Sequence, residues 1–314
     1  MNQNPLVIIL GATASGKTKL AVQIAKELNG EIISSDSRQV FKSMDIGTGK
    51  DLAEYQVGNT RIPYHLINIL EPGERYNVDA FKNDFYSSYQ SIIENKKIPI
   101  LCGGTGMYIH SILQNQLYTA VPVNIVLRTK LEVLSRYDLI QKLSDYPVQN
   151  IKHADRSSNK RLIRAIEIAE YLNHHEIPSI ERPEIEPIVF GLKNEVERTR
   201  SNILIRLEQR LQNGMVEEVK NLLAMGVSKE MLVFYGLEYK FIASYLSGDI
   251  NYEDLKVKLG NAICQFAKRQ NTFFRKMEKD GVKINWLDAS LPIDTLKRQV
   301  LELLAENRIL NVKI

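Results

Sequence analysis

Two cysteines in 314 residues, Cys102 and Cys264, are too few and too far apart for a disulfide framework or a cysteine-rich zinc site. No apolar run approaches the ~20 residues that a membrane-spanning helix requires. The opening residues Met1-Asn2-Gln3-Asn4-Pro5 carry neither a basic segment nor a small-residue cleavage pattern, so no secretory leader is expected. These absences together point to a reducing cytoplasm. The histidines His65, His110, His153, His174 and His175 are scattered, with no H-E-x-x-H spacing and no cysteine beside them, which argues against a metal site built on them. The single tryptophan, Trp286, ends a β-rich stretch and reads as core. Bulk charge of one sign is also missing: 41 basic against 37 acidic residues leave a net +4, too little to name a partner. The basic residues are clustered instead, at Lys152 to Arg164, at Arg198, Arg200, Arg206 and Arg210, and at Lys268-Arg269 with Arg275-Lys276. Solvated helix faces account for many such clusters, but several of them in a phosphate-binding chain favour a polyanionic partner.

What the chain has is a phosphate loop. Gly11-Ala12-Thr13-Ala14-Ser15-Gly16-Lys17-Thr18 fits G-x-x-x-x-G-K-[ST]. The apolar run Leu6-Val7-Ile8-Ile9-Leu10 before it reads as a buried strand. After it Leu20, Ala21, Ile24, Ala25 and Leu28 recur at helical spacing, and Asn29-Gly30 supplies the stop. Strand, loop and helix N-terminus make a cradle in which backbone N–H groups and Lys17 meet an anion and the Thr18 hydroxyl is placed for Mg²⁺. By itself the motif suggests ATP or GTP.

Further β-rich segments at Glu31–Ser35, Ile98–Cys102, Ile188–Leu192 and Val282–Leu287 alternate with helical patterns over Asp79–Asn95, Arg156–Asn173, Val196–Met225 and Tyr252–Lys279. A loop broken by Pro178, Pro183 and Pro187 precedes the fourth strand. This alternation predicts an α/β fold, a parallel sheet with the phosphate loop on its first strand. The stretch from about 195 to 280 is nearly all helical and too long for one crossover. The expected organisation is a core over 1–195 and 265–314 with a mainly helical insert over 196–264 that binds the polyanion.

Open parallel sheets bind ligands at the carboxyl ends of their strands. That selects two segments besides the phosphate loop. In Ser34-Ser35-Asp36-Ser37-Arg38-Gln39, Asp36 suits a general base or a partner to the metal, and Ser37, Arg38 and Gln39 offer polar groups to a base edge. A helix cap at Asp36 or Ser37 is the plainer alternative. In Gly103-Gly104-Thr105-Gly106 the glycines permit close backbone approach and Thr105 presents a hydroxyl; a simple strand-to-helix turn is the alternative there. The set fits an enzyme that transfers or expels phosphate, and a P-loop nucleotide or small-molecule kinase is one reading.

The run Asp36-Ser37-Arg38-Gln39-Val40-Phe41-Lys42-Ser43-Met44-Asp45-Ile46-Gly47-Thr48 resembles the D-S-x-x-x-Y-x-x-M-D-I-G-T signature of tRNA dimethylallyltransferases. The likeness continues through Gly103 to Tyr108, Lys160 to Glu167, Gly214 to Val219 and Ala267 to Arg275, in family order and over most of the chain. The resemblance implies a P-loop kinase-like core and transfer of a dimethylallyl group from its diphosphate to N6 of the adenine beside a tRNA anticodon. It implies Asp36, Thr105, Lys17 and Arg128 in catalysis, and Gly11 through Thr18 on the diphosphate, with Mg²⁺ at Thr18. Asp36, Ser37, Arg38, Gln39, Lys160, Arg161, Arg164, Lys268, Arg269 and Arg275 would meet tRNA. A monomer is expected. Four positions depart from the pattern: Ala12 for a proline, Phe41 for a tyrosine, Phe273 for a tryptophan, and Glu238-Tyr239 where Gly-Tyr is usual. With two cysteines, the C-terminal zinc finger of eukaryotic relatives has no counterpart of that type here. An RNA-binding protein that keeps a phosphate loop without catalysis is the remaining alternative.

Overall fold

Short β-branched segments separated by helices return the chain in one direction and build a parallel sheet. The computed structural model describes residues 4–114, 116–177 and 181–306 and has this architecture. Residues 1–3 of the expected leader-free start, and the loop residue Pro178, lie outside the described residues. The strands are β1 (Pro5–Gly11), β2 (Gly30–Ser34), β3 (Gln56–Val57), β4 (Thr60–Arg61), β5 (Tyr64–His65), β6 (Ile98–Gly103), β7 (Glu186–Lys193) and β8 (Ile284–Asp288). Six of them form one sheet in the order β5-β2-β6-β1-β7-β8, every pairing parallel. The other two, β3 and β4, make an antiparallel hairpin.

The helices are α1 (Lys17–Leu28), α2 (Val78–Glu94), α3 (Gly106–Leu113), α4 (Ile125–Glu132), α5 (Arg136–Ser144), α6 (Val148–Ile151) and α7 (Asn159–His174). There follow α8 (Val196–Gln212), α9 (Met215–Ala224), α10 (Lys229–Tyr235), α11 (Leu237–Leu246), α12 (Tyr252–Lys279) and α13 (Ile293–Glu306). The helical pattern over 196–225 is two helices, because Gly214 adopts φ 96° and turns the chain between α8 and α9. By contrast α1 ends where Asn29-Gly30 predicts, with Asn29 in the left-handed conformation.

Strand β1 is buried on both faces, as a central parallel strand must be. Its side chains alternate: Leu6, Ile8 and Leu10 face a core shared with α2, α3 and α8–α12, whereas Val7 and Ile9 face α1 and α13. The phosphate loop therefore leaves the most constrained strand of the sheet.

The chain divides into two compact units, one made of the described residues up to Gln114 and from Pro183 onward, the other of those between 116 and 182. The helical stretch 196–264 falls in the first unit. Its Ile203, Leu207, Met215, Val219, Leu232 and Leu255 join the core of the sheet itself, so it is not a separate body. The segment that separates holds α4–α7 around its own core of Leu131, Leu139, Leu143, Leu162, Ile166 and Ala169. In the sequence α7 resembles an ordinary crossover helix, since its apolar stripe has the same period whichever core it faces.

Candidate active site

The carboxyl ends of β1, β2 and β6 converge on a cavity of about 340 Å³. From the phosphate loop it is lined by Thr13, Lys17 and Thr18. From the turn after β2 come Asp36, Ser37, Arg38 and Gln39, and from the segment after β6 come Gly103 and Thr105. Three of the sequence-predicted groups thus meet in one space. Gly11, Ala12, Ala14, Ser15 and Gly16 complete the loop beside it.

The loop has the shape an anion cradle needs. Gly16 is left-handed at φ 82° and Ala14 at φ 60°, which curls successive N–H groups inward. Lys17 is half-buried, its Nζ 3.5 Å from the Ala12 carbonyl, and desolvation pulls its pKa below the ordinary lysine value. Beneath it the Cys102 thiol is pushed up to about 12 by burial and is inert at physiological pH.

Asp36 does not cap a helix. Its Oδ1 accepts from Arg38 N–H at 2.9 Å, closing a local turn at the cavity wall. Thr105 begins α3 but makes no cap bond to it; its Oγ1 accepts from Ser37 N–H at 3.2 Å instead. That bond joins the β2 and β6 segments into one wall. A second tie comes from α12: Gln270 Oε1 accepts from Thr13 N–H and its Nε2 donates to the Gly104 carbonyl, both at 2.9 Å. Gly104 is required there, because a Cβ would run into that amide.

The remaining wall is cationic. Arg206 and Arg210, four apart on α8, reach the cavity together with Arg38 and Arg269. Arg206 pairs with Asp51, whereas the Nε of Arg210 has no hydrogen-bond partner among the described residues. Burial lowers the pKa values of Arg38 and Arg210, the mark of guanidinium groups held away from water. Arg38 also stacks on the Phe234 ring at 4.9 Å. Neither Arg206 nor Arg210 stood among the expected site residues; their i, i+4 spacing in a basic cluster was the available signal.

Gln39, Gly47, Thr48 and Gly49 line the cavity from a loop with two ionic anchors. Glu218 on α9 accepts from the N–H groups of Asp45, Ile46 and Gly47 at 2.7–2.9 Å and from the Tyr239 hydroxyl at 2.8 Å. Lys50, 1% exposed, donates to the Phe41 carbonyl, Asp45 and Asn68 at 2.5–2.6 Å. These residues explain why the Met-Asp-Ile-Gly-Thr and Gly-Met-Val-Glu-Glu segments occur in one chain.

Other expected residues lie elsewhere. Lys268 and Arg275 line a separate groove, with Lys193, Arg200 and Trp286. The tryptophan packs against the sheet core beside Phe274, as expected, and its outer edge also walls this groove, its Nε1 donating to Glu278. Phe41 is fully buried against Tyr235, at 4.6 Å between rings, and is not among the residues lining this cavity; the missing hydroxyl is a core matter. Phe273 packs on α3 beside His110. In the second unit Arg128 pairs with the buried Glu167 at 2.5 Å. There Arg164 donates to the Tyr118 and Val121 carbonyls, Arg161 pairs with Asp155, and Lys160 is exposed.

Among the described residues no cluster of three His, Cys, Asp or Glu side chains is arranged to hold a metal. The oxygen donors present, the Thr18 hydroxyl and the Asp36 carboxylate on one cavity, suit a hard cation that takes its other ligands from a phosphate group and water.

A phosphate loop on the central parallel strand, opening into a cavity that also holds a carboxylate and several arginines, defines a P-loop α/β enzyme acting on a phosphorylated ligand. A family model described as IPP transferase matches residues 39–277. The chain belongs to that family. It is 48% identical over 303 residues to tRNA dimethylallyltransferase 2 of Porphyromonas gingivalis, covering 96% of this chain and 100% of the relative. To tRNA dimethylallyltransferase 2 of Phocaeicola vulgatus it is 47% identical, covering 97% and 99%. The solved tRNA isopentenylpyrophosphate transferase of Bacillus halodurans superposes with a TM-score of 0.70 at 29% identity, over 96% of each chain. A eukaryotic dimethylallyltransferase acting on tRNA, 21% identical, shares the fold with a TM-score of 0.69, over 99% of this chain and 81% of that one. No helix among the described residues is long and apolar enough to cross a membrane.

Proposed function

We propose that this protein transfers the dimethylallyl group of dimethylallyl diphosphate to N6 of the adenine 3′-adjacent to a tRNA anticodon and releases diphosphate. The observation that carries the reading is the single cavity in which the phosphate loop faces the Asp36–Ser37–Thr105 wall. The family and its relatives do not favour the kinase alternative. The scarcity of cysteine is in keeping with a reducing, cytoplasmic setting.

The chemistry follows from charge. The adenine N6 lone pair attacks C1 of the dimethylallyl group, the C1–O bond breaks, and its electron pair leaves on the diphosphate. Lys17, the loop N–H groups, Arg206 and Arg210 meet that developing charge as donors fixed in place before the bond breaks. A Mg²⁺ at Thr18 would supply further charge to the leaving oxygens. The Asp36 carboxylate orients the N6 amine and takes its proton. Thr105 holds the Ser37 backbone, and with it the base-side wall, against the donor side. The adenine must leave its stack to enter. Ser37, Arg38, Gln39 and Arg269 are the groups of this reading that meet the base end, with Lys268 and Arg275 on the flanking RNA. Lys160 and Arg161 are the second unit's exposed basic contribution; Arg164 and Arg128 act there through the partners that hold them.

Incubation of unmodified tRNA with dimethylallyl diphosphate and Mg²⁺ is expected to add one isoprenyl unit, read by mass spectrometry of the nucleosides. Asp36→Ala should lower kcat about 10²- to 10⁴-fold while tRNA Kd stays within about threefold. No mass gain on any tRNA with adenine after the anticodon overturns the reading.

A further inference from the structure

A phosphate loop has no intrinsic means of counting phosphates. Its N–H groups, with Lys17, Arg206 and Arg210, attract any polyphosphate, and a longer one carries more charge. A site that takes a diphosphate therefore needs an element that works against a triphosphate.

Beside the main cavity is a constriction lined by Thr13 and Ala14 of the loop, by Ile203, Arg206, Leu207 and Arg210 of α8, and by Glu238 and Ile263. Its free space is about 10 Å³, room for about one water and not for a phosphoryl group. Glu238 comes from the first turn of α11. Its Oε2 and the Nε of Arg38 approach the same point beside Gly236, at 3.9 and 4.0 Å from where a Cβ would stand. The carboxylate is thus set among Arg38, Arg206 and Arg210 at the outer turn of the phosphate loop. Burial raises its pKa, opposed by Arg210 and Arg206. In the pattern this chain resembles, glycine is usual at this position, which here carries a carboxylate.

We propose that Glu238 is a length filter on the phosphate chain, admitting a diphosphate or its prenyl ester and repelling the third phosphoryl group of a triphosphate. The inference rests on the prenyl-diphosphate reading and names what that site excludes. One added negative charge a few ångströms from a carboxylate costs enough, in a partly dry site, to change affinity by about tenfold or more.

The test measures inhibition of prenyl transfer by inorganic diphosphate and inorganic triphosphate at fixed free Mg²⁺. Glu238→Gln isolates the charge and Glu238→Gly also removes the volume; melting temperatures report whether each variant folds, and Glu238→Ala, which also removes the charge, serves if they do not. Both first variants are expected to bind triphosphate about tenfold tighter, with diphosphate changed by less than about threefold. Equal tightening of both anions, or an unchanged ratio in Glu238→Gln, overturns the filter. If the wild-type enzyme shows no prenyl transfer, the reaction assignment fails, while calorimetric titration with the same two anions still decides the filter.

Discussion

A lysine folded against its own loop loses part of its hydration, and Lys17 is in that position. Its depressed pKa has a direct consequence for rate. The protonated form meets the diphosphate, so kcat/KM for the donor should fall on the alkaline side at a pH below the ordinary lysine value of 10.5. Lys17→Arg keeps its charge through that range. Its profile should lose the alkaline fall, at an absolute rate lowered by about tenfold or more because the guanidinium is longer than the pocket was built for. Coincident profiles for the two proteins would assign the limb to another group.

At the scale of the element, the loop from Gln39 to Lys50 has almost no regular structure, yet it is fixed from both sides by Glu218 and Lys50. Glu218→Gln leaves one acceptor oxygen for three N–H groups. It should cost about 1–3 kcal/mol of stability in thermal or urea melts. Because the loop builds the base-side wall, KM for tRNA should rise about tenfold with KM for the donor within about threefold. An equal rise in both would give the loop a general structural role. Most main strands could be read in the sequence because β-branched runs end at glycine or polar turns. The pair β3–β4 and strand β5 are two residues per strand, too short for any period to register. The phosphate loop, Asp36 and Thr105 were legible because their chemistry is local. Gln270 and Glu218 were not: each sits on a helix with mainly backbone partners distant in sequence, and in a helical pattern such a residue looks like a solvated face. Lys50, held by the Phe41 carbonyl, Asp45 and Asn68, is a loop lysine, which looks equally solvated.

For the whole molecule, the basic clusters separate by location. Arg206, Arg210 and Arg269 face the cavity, Lys268 and Arg275 face the second groove, and Lys160 and Arg161 lie in the unit with its own core. Removing Lys268 and Arg275 together should weaken tRNA binding and reduce the slope of log Kd against log salt by roughly one to two, with donor KM unchanged. An unaltered slope in filter-binding titrations would mean that the groove does not face RNA. The Gln270 bridge bears on a different matter, the order in which a ribosome delivers the parts. Thr13 emerges early and the residue that braces it follows 257 positions later. At the usual pace of translation that interval is on the order of ten to fifty seconds. Throughout it the nascent chain carries a phosphate loop with one brace missing, and the site is finished only when the long penultimate helix has been made.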